Sequence, residues 1–156
     1  MWSSDITFVP IPHGWIYLTV VIDWFSRYVL SWRLSNTLDG LFCPDALDEA
    51  LGEGRPQVFN TDQGVQHTDE ASSLRLEAAG VAVSMDGRGR RIDNVFVQRL
   101  WRTVKYEEVY LHDYATPRAL EHGLASYFPF YNERRIHAAL DYRTPAAVYC
   151  AGRRAA

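Results

Sequence analysis

Over the first 35 positions apolar residues come in short alternating or continuous blocks, the pattern of strands. WSSDITFV, residues 2–9, places Asp5, Thr7 and Val9 on one face, and Pro10, Pro12 and Gly14 predict its end. Trp15–Asp23, WIYLTVVID, is nearly continuous apolar sequence and predicts a central strand covered on both faces. WFSR is the turn to a third strand, Tyr28–Leu34, completing an antiparallel meander. The period then changes. Asp39–Leu51 sets Leu41, Phe42, Ala46, Leu47, Ala50 and Leu51 at helical spacing and stops at Gly52. QVFNT, Gln57–Thr61, is a brief strand that delivers Asp62 into a DQG loop. Glu70–Ala79 is a helix closed by Gly80, Val81–Met85 a further strand, and DGRGRR, residues 86–91, a basic loop. Ile92–Glu108 reads as one amphipathic helix, capped by Asp93 or Asn94. Val97, Leu100, Trp101 and Val104 form its buried stripe, and Gln98, Arg102 and Lys105 an adjoining polar face. Thr116–Tyr131, with Pro117 in its first turn, is the last helix, followed by a tail containing the turn DYRTP.

Three antiparallel strands followed by alternating helices and strands predict an α/β fold, a mixed sheet with helices on both faces. A chain of 156 residues, 47% apolar, suits a single domain, 1–156, with a short C-terminal tail. No run of 18 apolar residues occurs, so a membrane partner is not expected and a cytoplasmic location is. Cys43 and Cys150 stand far apart without a CxxC and are expected to be buried free thiols.

The formal charge of −3 hides an asymmetry that changes the picture. Residues 1–85 hold 4 Arg against 11 acidic side chains, a net of −7, whereas residues 86–156 hold 12 basic against 8 acidic, a net of +4. An anionic partner would meet the second half, and the cations of the loop and helix, Arg88, Arg90, Arg91, Arg102 and Lys105, are the leading phosphate contacts.

Two acids stand where burial is costly unless they are paired or metal-bound: Asp5 within an apolar strand and Asp62 at the end of another. A hard divalent ion such as Mg²⁺ relieves repulsion between carboxylates that share a site, and two such ions suit phosphoryl transfer. A third acid normally completes the cage, and from the helix the side chain in that position is Gln98. Ordinary readings compete: a surface acid for Asp5 and a turn former for Asp62. His67 and His137 lack partnered spacing for ligation, and Asp23 and Asp93 read as a strand-end turn former and a helix cap. No GxxxxGK loop or nucleotide fingerprint occurs, and no organic cofactor is implied.

These residues carry a resemblance. WSSDITFVP, GWIYLTVVIDWFSRYVLSW, FNTDQGVQHT, SMDGRGRRIDNVFVQRLWRTVKYEEVYL and FYNERRIHAALDYRTPA, in this order and spacing from Trp2 to about Tyr149, resemble the catalytic core of insertion-sequence transposases of the retroviral-integrase-like class. The resemblance implies an RNase H-like fold with a five-stranded mixed sheet and Mg²⁺-dependent cleavage and joining of DNA, with Mn²⁺ as a substitute ion. It also implies catalytic and metal-holding roles for Asp5 and Asp62, transposon ends and target DNA as partners, and room for a homo-oligomer. The family's third acid is a Glu 35 residues beyond the second Asp, and that count lands on Gln98, where DNxxxE has become DNVFVQ. An impaired or inactive member is therefore expected. Met1 lies four residues before Asp5, so an upstream DNA-recognition domain is expected to be absent, leaving binding dominated by phosphates, with nucleoid association when DNA is bound. Two alternatives share these residues: an RNase H-like nuclease or resolvase that uses water in place of a DNA hydroxyl, and a catalytically inactive DNA-binding or oligomerisation module.

Overall fold

The computed structural model describes residues 1–38, 42–61, 66–85 and 95–155. The predicted meander is β1 (Trp2–Ile11), β2 (Gly14–Asp23) and β3 (Val29–Ser35). β4 (Val58–Thr61) lies parallel to β1, and β5 (Ala82–Met85) parallel to β4, in the order β3-β2-β1-β4-β5. This is the five-stranded mixed sheet of the RNase H-like α/β class. The helices are α1 (Phe42–Glu53), α2 (Gln66–Ala78), α3 (Val95–Val104), α4 (Pro117–Glu133) and α5 (Pro145–Ala155).

Strand alternation sorts the core into two layers. Directly opposed residues of an antiparallel pair share a face, so the register Asp5↔Val20, Thr7↔Leu18 and Val9↔Ile16 aims Asp5, Thr7 and Val9 at one side. There Val9, Ile16, Leu18, Val20 and Ile22 pack against Val97, Leu100 and Val104 of α3 and Leu120 and Leu124 of α4. On the other side Trp2, Val21, Leu30 and Phe59 meet Ala46, Leu47 and Ala50 of α1 and Leu76 of α2. β2 is thus covered on both faces, as its unbroken apolar run predicts. Its end is shaped by Asp23, whose Oδ2 accepts from the Ser26 amide at 2.9 Å and the Ser26 hydroxyl at 2.6 Å, the expected turn-forming role.

Four expectations are corrected. β1 does not stop at Val9 but runs through Pro10 to Ile11. Pro10 lies opposite Trp15 in the β1–β2 ladder and beyond the Trp2–Ser3 stretch that pairs with β4, so among the described residues no strand flanks it on the side away from β2. The helix expected to run unbroken to Glu108 changes at Lys105 into a π-helical turn, Lys105–Val109. Val104 and Val109 are both buried and five residues apart, the spacing of an i→i+5 turn and not of an α-turn. The tail after DYRTP carries α5, whose Tyr149 ring stacks on Tyr28 with centroids 4.5 Å apart. Cys150 lies on this helix and is exposed, while Cys43 is partly buried; neither forms a disulfide. No helix among the described residues is long and apolar enough to cross a membrane.

Candidate active site

α3 is held to the sheet by its buried stripe, Val97, Leu100, Trp101 and Val104, each side chain contributing about 1.5–3 kcal/mol through burial. Trp101 does more than fill space. Its ring is 8% exposed, and its Nε1 donates to Oδ2 of Asp5 at 2.9 Å. A buried indole N–H needs an acceptor, and a carboxylate facing an apolar layer needs a donor. Hydrogen bonds to charged groups are worth about 1.5–3 kcal/mol. The bond closes a 96-residue gap and aims the Asp5 carboxylate at α3. On the reverse side of the strand, buried Thr19 donates to the Asp5 carbonyl oxygen at 3.1 Å, and on the Asp5 side Trp24 Nε1 donates to Ser3 Oγ at 2.7 Å, fixing the start of β1.

Gln98 is exposed and lies three residues before Trp101, one turn toward the start of α3 on the same side of the helix. Asp5 and the residue at the expected third-acid position are thus borne by elements that touch through Trp101. β4 ends at Thr61, beside β1 in the sheet, and Asp62 follows it in sequence. Asp62 lies outside the described residues, as do Arg88, Arg90, Arg91, Asp93 and the side chain of His67. Arg102 is exposed; Lys105 is partly buried, with Nζ 5.8 Å from the centroid of the Phe8 ring. The polar face read from the sequence therefore divides: Arg102 is exposed, while Lys105, the first residue of the π-turn, lies near Phe8 of β1.

Oxygen donors of this kind suit a hard cation. Asp5 could supply a carboxylate and Gln98 a neutral amide oxygen, donors that fit Mg²⁺ in kind but carry one negative charge less than an acid at position 98 would bring. Among the described residues no three His, Cys, Asp or Glu side chains form a metal-holding group.

A polar network, unread in the sequence, fixes the far end of the same helix. Glu107 on the π-turn accepts from Arg135 Nη2 at 2.7 Å, from Arg135 Nε at 2.9 Å and from the Tyr127 hydroxyl at 3.0 Å. The Arg135 hydrogen bond holds the Glu107 carboxyl below the usual range, and burial pushes the Tyr127 hydroxyl up. His137, with Nε2 3.2 Å from Arg135 Nη1, is pushed down to about 4, first by burial and then by Arg135. It is thus neutral at pH 7 and accepts from Arg135. The sign follows from linkage: the unfolded chain takes up this proton near pH 6.5 and the folded chain only near pH 4. Stability should be level above pH 6.5 and fall between pH 6.5 and 4, by roughly 1–2 kcal/mol once partial exposure is discounted. Thermal unfolding of His137→Gln should lose the slope in that window. A slope unchanged by the substitution would exclude His137 as its source.

Comparison with known proteins places these features in context. Two models described as Integrase core domain match the chain, over residues 1–91 and 79–145. The transposase for insertion sequence element IS904 of Lactococcus lactis is 31% identical over 149 residues, covering 93% of this chain and 59% of the relative. The transposase for IS629 of Shigella sonnei is 29% identical over 148 residues, covering 94% and 50%. The chain thus spans about half the length of the curated relatives it matches. The catalytic core domain of BIV integrase superposes with a TM-score of 0.77 at 16% identity, over 99% of this chain and 95% of that one. The HTLV-2 integrase catalytic core domain in complex with magnesium gives 0.69 at 19%, over 94% and 93%. At these identities the likeness is one of fold.

Proposed function

The chain belongs to the integrase core domain family, and from that premise we propose that it is the DNA-processing core of an insertion-sequence transposase in which Gln98 stands in place of the third metal-holding carboxylate. The observation that carries this reading is the Trp101–Asp5 bond, which docks the Gln98-bearing helix on the strand that bears the first acid. Asp5 and Asp62 would hold the ion, with the Gln98 amide oxygen as a neutral third donor. Bound Mg²⁺ supplies charge stabilisation for displacement at a DNA phosphate. Trp101 orients Asp5; Gln98 keeps the reach of a glutamate but brings neither its charge nor its basicity, so cleavage and joining should be strongly impaired. The magnesium bound to the HTLV-2 core supports the choice of ion.

DNA binding should survive the absence of the carboxylate, since removing an anion lowers repulsion toward phosphates. Arg102 and Lys105 on α3 and its π-turn, with Arg88, Arg90 and Arg91 of the preceding loop, are the proposed phosphate contacts. Replacing both Arg102 and Lys105 with Ala should weaken duplex binding and reduce the slope of log K against log salt by about two, near one for each phosphate no longer neutralised. An unchanged slope would remove both from the interface. Gln98 also favours a second reading, a DNA-binding module without chemistry. Strand transfer on transposon-end DNA separates the two, and robust transfer unaffected by Gln98→Ala would overturn the assignment of position 98.

A further inference from the structure

At the tip of the β1–β2 hairpin two large rings lie open. Phe8 is 61% exposed and Trp15 59%, with centroids 6.3 Å apart and planes tilted by 51°. Trp15 is anchored by its Nε1 donating to the Tyr17 hydroxyl at 3.3 Å, so its ring is held to the strand surface. Solvent-facing rings on neighbouring strands of a hairpin bring nothing to the core, and neither belongs to the layers built on β1 and β2. What lies beside Phe8 is positive: Lys105 Nζ is 5.8 Å from the centroid of its ring, and exposed Arg102 precedes Lys105 by one turn on the same helix. Neither cation is paired with a carboxylate among the described residues.

We propose that Phe8 and Trp15 form a stacking platform for unpaired bases of a DNA strand whose phosphates meet Lys105 and Arg102. The proposal rests on the DNA-processing reading and adds a substrate form to it: DNA with a single-stranded segment beside the duplex. Ring faces with adjacent cations are the combination that single-stranded nucleic acid takes, because every base offers a π-face and every nucleotide a phosphate. Paired bases have their faces covered, so blunt duplex cannot use the rings. An apolar protein partner would gain nothing from the two cations. The rings add affinity without adding phosphate neutralisation, so their contribution is separable from that of Lys105 and Arg102 by its salt dependence.

The experiment measures equilibrium binding of blunt duplex and of the same duplex with a short single-stranded overhang, across a salt series. The unaltered chain is compared with Trp15→Ala, Phe8→Ala and Trp15→Phe. The overhang should bind roughly tenfold tighter than the blunt end, a scale set by one stacked base. Each alanine variant should lose most of that preference with the salt slope unchanged, and Trp15→Phe should keep it. Thermal unfolding should be little changed in all three, since both rings are exposed. Equal affinity for the two DNAs, or a preference that survives both alanine changes, overturns the platform while steep salt-dependent binding of blunt duplex leaves the DNA reading intact. Failure to bind either DNA overturns both.

Discussion

Introducing a carboxylate with Gln98→Glu is expected to raise Mg²⁺-dependent DNA cleavage by about 10²–10³-fold, the scale on which removal of one transition-state interaction is felt in other enzymes. The side chain keeps its length, the position is exposed, and the buried stripe of α3 is untouched, so folding should not change. What changes is charge: in the proposed site a third anion would join Asp5 and Asp62, and a divalent ion would gain an electrostatic partner where the chain now offers a neutral amide. Titration calorimetry with Mg²⁺ or Mn²⁺ should therefore show tighter binding in the variant before any turnover is measured. The two readouts divide the outcomes. Tighter metal and restored cleavage establish a disabled phosphoryl transferase. Tighter metal without cleavage means that the chain, about half the length of its relatives, lacks something the reaction needs. Unchanged metal affinity would remove position 98 from the site.

How far such a site is legible in the chain depends on the period of each element. Strand alternation is rigid, so the face carrying Asp5, Thr7 and Val9 could be read directly, and the α3 stripe at Val97, Leu100, Trp101 and Val104 followed from helical spacing. The Trp101–Asp5 bond could not be read, although both residues stood out, because periodicity says which way a side chain points and not which partner 96 residues away it meets. One signal was available: a stripe tryptophan needing an acceptor and a strand aspartate needing a donor. The π-turn was hidden for a different reason. One additional residue per turn leaves composition unchanged, and only the five-residue step from Val104 to Val109 betrays it. From that turn Glu107 meets Arg135. α5 escaped the pattern because it follows at once on the turn DYRTP, whose Pro145 is its first residue, and the exposure of Cys150 went with it.

Asn132→Leu is expected to be the most damaging polar-to-apolar change in the second half of the chain. Asn132, 8% exposed in the last turn of α4, accepts from the Val29 amide through Oδ1 at 2.9 Å and donates through Nδ2 to the Val29 carbonyl at 2.9 Å. Val29 opens β3, the edge strand, where the β2 register also shifts between Val21 and Ile22. One amide side chain therefore acts as a single residue of a further strand, satisfying a donor and an acceptor 103 positions away. Leucine has nearly the same volume but leaves both backbone groups buried without partners, at about 1–3 kcal/mol each. A net loss of roughly 3 kcal/mol should lower the unfolding temperature by about 6–12 °C for a domain of this size. Asn132→Asp tests the geometry separately: a carboxylate can accept from the Val29 amide but repels the Val29 carbonyl. Its deficit should shrink as pH falls and a protonated acid regains a donor. Hydrogen exchange at the Val29 amide should accelerate in the leucine variant. A leucine variant that unfolds at the original temperature, with Val29 still protected, would show that α4 is held to the sheet by its apolar face alone.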